Sequence, residues 1–131
     1  MAIKPSIAVV EDDESVREAT IGLLRSHGFT AKGFPSADAF LKSNRIRITS
    51  CLIADVQMPN MSGLALYGHL VAVGTPIPTI LITAYPDDNV RARALNAGVT
   101  GYLAKPFSER ALLDCIDSAA KHGVLLAPVN R

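Results

Sequence analysis

Cys51-Leu52-Ile53-Ala54-Asp55-Val56-Gln57-Met58-Pro59-Asn60-Met61-Ser62-Gly63 is the stretch that decides the fold. Four consecutive apolar residues run into a carboxylate and then into a segment rich in turn formers. Unbroken apolar runs of this length mark parallel strands covered by helices on both faces, whereas half-exposed strands alternate. Outward from it, further short runs appear at Ile7-Ala8-Val9-Val10, Phe29 to Phe34, Thr79-Ile80-Leu81-Ile82 and Gly101-Tyr102-Leu103-Ala104. Helical patterns fill the gaps between them. Val16, Thr20, Leu23, Leu24 and His27 share one stripe, with Gly28 expected as its C-terminal cap. Ser36 is expected to cap a short helix carrying Phe40 and Leu41, and Leu64, Leu66, Leu70 and Val71 mark a third helix. Val90, Ala94 and Ala97 mark a fourth, ended by Gly98. Ser108 is expected to start a fifth, with Leu112, Leu113 and Ile116 facing inward and Gly123 past its end.

The order is β-α five times over, which predicts an α/β fold with right-handed crossovers and helices on both faces of a parallel sheet. Five strands favour the flavodoxin-like three-layer sandwich with strand order 2-1-3-4-5 and five helices. In that order strands 1 and 3 are neighbours, and a ligand crevice opens at their carboxyl ends.

The bulk numbers agree with a single packed domain. The chain has 131 residues, 49% hydrophobic and 19% charged, which suits a self-sufficient core and argues against disorder. We expect the domain to occupy residues 1–123, with 124–131 a C-terminal tail or a linker stub toward an output domain. A formal net charge of +1 gives no general attraction to nucleic acid or to an anionic membrane. No apolar run approaches the roughly 20 residues a membrane span needs, and Met1-Ala2-Ile3-Lys4-Pro5 lacks the order of a secretory signal. Cys51 and Cys115 sit in apolar segments without metal spacing and are expected to be buried, reduced thiols. Together these features predict a cytoplasmic protein.

The chemistry sits just past the end of each strand. Strand 1 runs into Glu11-Asp12-Asp13-Glu14, strand 3 into Asp55, strand 4 into Thr83 and strand 5 into Lys105-Pro106. All lie at one edge of the sheet. Carboxylates brought together there repel one another unless something positive intervenes. Mg²⁺ answers that need, because it prefers oxygen ligands and keeps waters that a phosphate oxygen can replace. Glu11, Asp12 and Asp55 contribute −3 and Mg²⁺ with Lys105 contributes +3, leaving a near-neutral site. Phosphoryl transfer depends mainly on such positioning and charge neutralisation, and an aspartate can be its nucleophile.

Val9-Val10-Glu11-Asp12, Asp55-Val56-Gln57-Met58-Pro59-Asn60-Met61-Ser62-Gly63, Thr83-Ala84 and Lys105-Pro106-Phe107 together resemble the receiver domain of two-component response regulators. The match runs from about residue 6 to 122 with every element in order. The resemblance implies that Asp55 is the phosphoacceptor. It also implies Mg²⁺ ligation by the side chains of Asp12 and Asp55, by the backbone carbonyl of Gln57 and, through water, by Glu11. Thr83 and Lys105 would meet the phosphoryl group, and Tyr102 would be the switch aromatic. Lys105-Pro106 resembles a bond that is cis in this family. The donor would be a histidine kinase or histidine phosphotransferase. The signalling face would comprise helix 4, strand 5 and helix 5, with Arg91, Leu95, Val99 and Tyr102 on it, where a partner or a second copy would dock.

Two positions depart from the pattern. The first acidic residue is Glu11 rather than aspartate. A register using Asp12 and Asp13 instead would shift the apolar strand by one residue relative to the site. Gln57 and Tyr85 stand two places beyond Asp55 and Thr83, and Tyr85 is expected to shield an acyl phosphate from water. Three rival readings remain in view. An aspartate-nucleophile phosphatase needs a second acid where Gln57 stands. A flavin carrier needs a hydroxyl- and glycine-rich loop where Glu11-Asp12-Asp13-Glu14 stands. A receiver acting only as an unphosphorylated docking surface would not need the intact site.

Overall fold

A computed structural model describes residues 6–126, the last seven of them by backbone alone. Strands β1 (Ser6–Val10), β2 (Thr30–Phe34), β3 (Cys51–Asp55), β4 (Thr79–Thr83) and β5 (Gly101–Ala104) alternate with helices. The helices are α1 (Glu14–Ser26), α2 (Ala37–Lys42), α3 (Gly63–Ala72), α4 (Asp88–Ala97) and α5 (Glu109–Leu126). All pairings are parallel and the order is β2-β1-β3-β4-β5, as expected. A single 3₁₀ turn at Ile46–Ile48, unannounced by any periodicity, leads into β3.

The pleat divides each strand between two cores. Ile7, Val9, Ile53, Ile80 and Ile82 meet Ile21 and Leu24 of α1 and Leu112 and Ile116 of α5. Ala8, Val10, Leu52, Ala54 and Leu81 meet Phe40 of α2, Leu66 and Leu70 of α3, and Ala94 of α4. Every residue of β3 and β4 is buried, which explains why both read as continuous apolar runs. Each enclosed Leu or Ile stabilises the fold by about 1.5–3 kcal/mol relative to exposure. A one-residue slip would throw these sets onto the wrong faces, so the register is strongly specified. Val10 pairs with Ala54, and that pairing brings Glu11 and Asp55 side by side at the sheet edge.

Each helix begins at that edge with a side-chain cap. Asp13 accepts from the Val16 N–H at 3.1 Å, Ser36 from Ala39 at 3.0 Å and Ser62 from Ala65 at 3.1 Å. Asp87 accepts from Asn89 and Val90 at 2.8 and 3.0 Å, and Ser108 from Ala111 at 3.0 Å. These bonds satisfy donors that a helix start leaves unpaired. Gly63 opens α3 against the back of Asp55, where a Cβ would lie 2.6 Å from the Asp55 carbonyl oxygen. Only glycine lets α3 and β3 approach so closely. Gly98 ends α4 at φ 112°, as expected of a left-handed cap.

Two expectations at helix ends need correction. Gly123 does not terminate α5, which continues to Leu126. One interior glycine costs a helix only about 1 kcal/mol relative to alanine, too little to force a stop. Residues 127–131 of the expected tail lie outside the described residues. His27 does not extend the inward stripe of α1. It is the C-cap residue, exposed, and its Nε2 lies 2.7 Å from Glu109 Oε2, tying the end of α1 to the start of α5. Among the described residues no helix is long and apolar enough to cross a membrane. Both cysteines are free, and burial pushes the Cys51 thiol up to about 12, so it stays protonated and unreactive.

Candidate functional site

The strand ends converge as their order requires. Glu11 is fully buried and Asp55 nearly so, while Asp12 is exposed at the mouth. Carboxylate oxygens of the three lie within 4.8 Å of one another. Lys105 reaches across from the end of β5, its Nζ donating to Asp55 Oδ2 at 2.7 Å and to Glu11 Oε1 at 2.8 Å. The Lys105-Pro106 bond is cis. Asp13 is not part of the cluster, because its carboxylate caps α1 and accepts from Ser15 Oγ at 2.8 Å. These bonds, first that from Ser15 and then that from Val16, hold Asp13 below the usual aspartate range. Glu11, not Asp13, therefore partners Asp12.

The charges fit a site built for a cation. Burial pushes the Glu11 carboxyl up to about 7 from an ordinary 4.5, against the opposing hydrogen bond from Lys105. Burial alone would lower the Lys105 pKa, but its bonds to Asp55 and then Glu11 outweigh this and raise it. With both buried carboxyls ionised, one negative charge would stand uncompensated by the single ammonium. Oxygen donors from three carboxylates at this spacing suit Mg²⁺, whose ligands stand at about 2.0–2.1 Å.

Glu11 should make stability depend on pH. The folded chain keeps the Glu11 proton where the unfolded chain has released it, so it binds more protons between the two pKa values. The metal-free protein should therefore lose stability as pH rises from about 4.5 to about 7. Urea unfolding in the presence of a chelator should show that decline, and Glu11→Gln, with no proton to lose, should flatten it. An unchanged slope in the variant would assign the decline elsewhere.

Thr83, wholly buried, ends β4 one residue past Ile82, the residue that pairs with Asp55. Its hydroxyl is held in a way no spacing rule announced. The oxygen accepts the Tyr85 N–H at 2.9 Å, and the proton is donated to Gln57 Oε1 at 2.7 Å. The backbone N–H of the same Gln57 donates to Asp55 Oδ1 at 2.9 Å. The Tyr85 ring, expected as a shield, is 73% exposed and forms no packed lid. What Tyr85 contributes is its amide, because the turn out of β4 brings that N–H back onto Thr83.

The expected signalling face is only partly as drawn. Arg91 is exposed and Leu95 is 38% exposed on α4. Tyr102 is half-buried, and its hydroxyl accepts the Asp87 N–H at 3.2 Å. Val99 does not present itself to a partner. It is 5% exposed and packed into the core, because the chain turns inward immediately after Gly98 to enter β5. The double engagement of Lys105 with Glu11 and Asp55 is likewise invisible to local pattern, since it joins residues 94 and 50 positions apart.

Comparison with known proteins agrees with this geometry. Residues 7–117 match the family model of the response regulator receiver domain. The chain is 42% identical over 125 residues to the response regulator protein TmoT of Ectopseudomonas mendocina, covering 95% of this chain and 55% of TmoT. It is 38% identical to nodulation protein W of Bradyrhizobium diazoefficiens, covering 90% and 52%. With the transcriptional regulatory protein FixJ of Rhizobium meliloti it shares 32% identity, covering 89% and 57%. The chain thus spans about half the length of these curated relatives. Among solved structures, response regulator StyR superposes with a TM-score of 0.86 at 42% identity, covering 95% of this chain and 63% of StyR. The FixJ-N structure superposes with a TM-score of 0.82 at 31% identity, covering 92% and 97%.

Proposed function

The chain belongs to the response regulator receiver domain family, and from that premise we propose that Asp55 accepts a phosphoryl group and that its modification switches the α4-β5-α5 face. The domain is a signalling module rather than a metabolic enzyme. The observation that carries the proposal is the convergence of Glu11, Asp12 and Asp55 with the Lys105 ammonium, 2.7 Å from the proposed acceptor, at one sheet edge.

In the proposed reaction a carboxylate oxygen of Asp55 forms a P–O bond as the P–N bond to the donor histidine breaks, the electron pair staying on the imidazole nitrogen. Lys105 neutralises charge on the phosphoryl oxygens, and Thr83 offers them its hydroxyl. Asp12, Asp55, the backbone carbonyl of Gln57 and, through water, Glu11 would hold Mg²⁺, which supplies further charge neutralisation when bound. Gln57 cannot serve as the general acid that a phosphatase on this scaffold would need, because its amide donates hydrogen bonds but does not ionise at neutral pH.

The partner in this reading is a histidine kinase or histidine phosphotransferase. A groove of about 470 Å³ beside Lys105, lined by Val16, Ala19, Leu23, Pro106 and Phe107, supports the docking of a donor's helix next to Asp55. The output is carried by Tyr102, Arg91 and Leu95, through a partner or through self-association on α4, β5 and α5. A cytoplasmic location, without direct contact to nucleic acid by this domain, completes the proposal.

The test is incubation with a small phosphodonor and intact-mass measurement. One phosphoryl group should be gained with Mg²⁺ and none with a chelator. Gain that is indifferent to Mg²⁺ would refute the metal assignment.

A further inference from the structure

We infer that the Gln57 side chain is a clasp on the switch, holding Thr83 in its resting arrangement so that phosphorylation must first release it. The inference rests on the receiver reading above and concerns a residue whose proposed part there is only its backbone carbonyl.

A single hydroxyl proton decides the matter, because a threonine carries only one. The Thr83 oxygen receives the Tyr85 N–H at 2.9 Å, so that lone pair is occupied, and its proton goes to Gln57 Oε1 at 2.7 Å. Thr83 is 0% exposed, so its own hydroxyl is shut off from solvent, while its Gln57 partner is exposed. In this state Thr83 has no proton to offer a phosphoryl oxygen. Before it can do so, the Gln57 amide must let go.

Gln57 is well placed to feel the acceptor. Its own N–H donates to Asp55 Oδ1 at 2.9 Å, so one residue bonds the acceptor carboxylate through its backbone and the switch hydroxyl through its side chain. Phosphorylation of Asp55 changes the charge on the first bond and creates a competing acceptor for the second. Gln57 is exposed on a loop, so its side chain can swing away without disturbing the core. A neutral hydrogen bond of this kind biases an equilibrium about fivefold, enough to set a resting population without locking it.

The test uses beryllofluoride with Mg²⁺ as a stable phosphoryl mimic. Its apparent affinity is measured by calorimetry for wild type, Gln57→Met, Thr83→Val and the double variant. Methionine keeps the length of glutamine and removes the acceptor. We expect Gln57→Met to tighten binding about fivefold and the free variant's Tyr85 amide resonance to move toward its liganded position. In the Thr83→Val background the same change should add nothing, because the clasp has nothing to hold. Equal tightening in both backgrounds, no tightening, or weaker binding would each overturn the inference. Failure of wild type to bind the mimic at all would instead bring down the receiver reading on which it rests.

Discussion

Asp55→Asn is expected to abolish phosphoryl incorporation from a small phosphodonor while leaving the fold in place. A carboxamide is close in shape to the carboxylate, and its oxygen can still accept the Gln57 N–H that now reaches Asp55 Oδ1 at 2.9 Å. It is not an oxygen nucleophile, and it withdraws one of three carboxylates from the proposed Mg²⁺ site. Loss of mass gain should therefore be complete, and Mg²⁺ binding should weaken in parallel. Circular dichroism checks the fold and intact mass the modification. A variant that still gains one phosphoryl group would mean the acceptor has been misplaced.

The second large effect is expected for Lys105→Met. The ammonium stands between two buried carboxylates, 2.8 Å from Glu11 and 2.7 Å from Asp55, and its removal leaves them facing one another. Breaking a buried pair from one side costs about 3 kcal/mol or more, a large share of the roughly 5–15 kcal/mol that holds a domain together. Methionine preserves much of the apolar stem, so the loss is mainly one of charge. Two consequences separate charge from packing. The destabilisation should shrink when Mg²⁺ is added and as pH falls, since a cation or a proton can replace the missing ammonium. Phosphorylation rate should also drop on the order of 100-fold, the usual cost of removing one group aimed at developing charge. Urea melts that shift equally with and without Mg²⁺ would point to packing alone.

Much of this architecture is legible in the sequence because it depends on local pattern. The buried runs Cys51-Leu52-Ile53-Ala54 and Thr79-Ile80-Leu81-Ile82 fit only strands with both faces covered, and Ser36, Ser108 and Gly98 stand where caps belong. The choice of Glu11 over Asp13 is legible too, since strand register leaves no freedom once the inward faces are set. Other features lie at distances that pattern does not encode. The Gln57–Thr83 bond and the fork of Lys105 depend on which rotamer long side chains adopt after the sheet has assembled. Val99 departs from its expected place because a chain entering a strand turns its side chain inward, whatever face the preceding helix presents. Gly123 departs from its expected role because glycine permits a helix to stop without compelling it.

The enclosure of β3 and β4 has a mechanical consequence. Their ten residues are gripped above and below, so the proposed acceptor and Thr83 are mounted on an anvil that does not give. A blow delivered at Asp55 cannot be absorbed by the strands behind it. It must travel sideways, through the segments 56–62 and 84–87 that leave the anvil, and backbone amide exchange should quicken or slow there while the two strands stay silent.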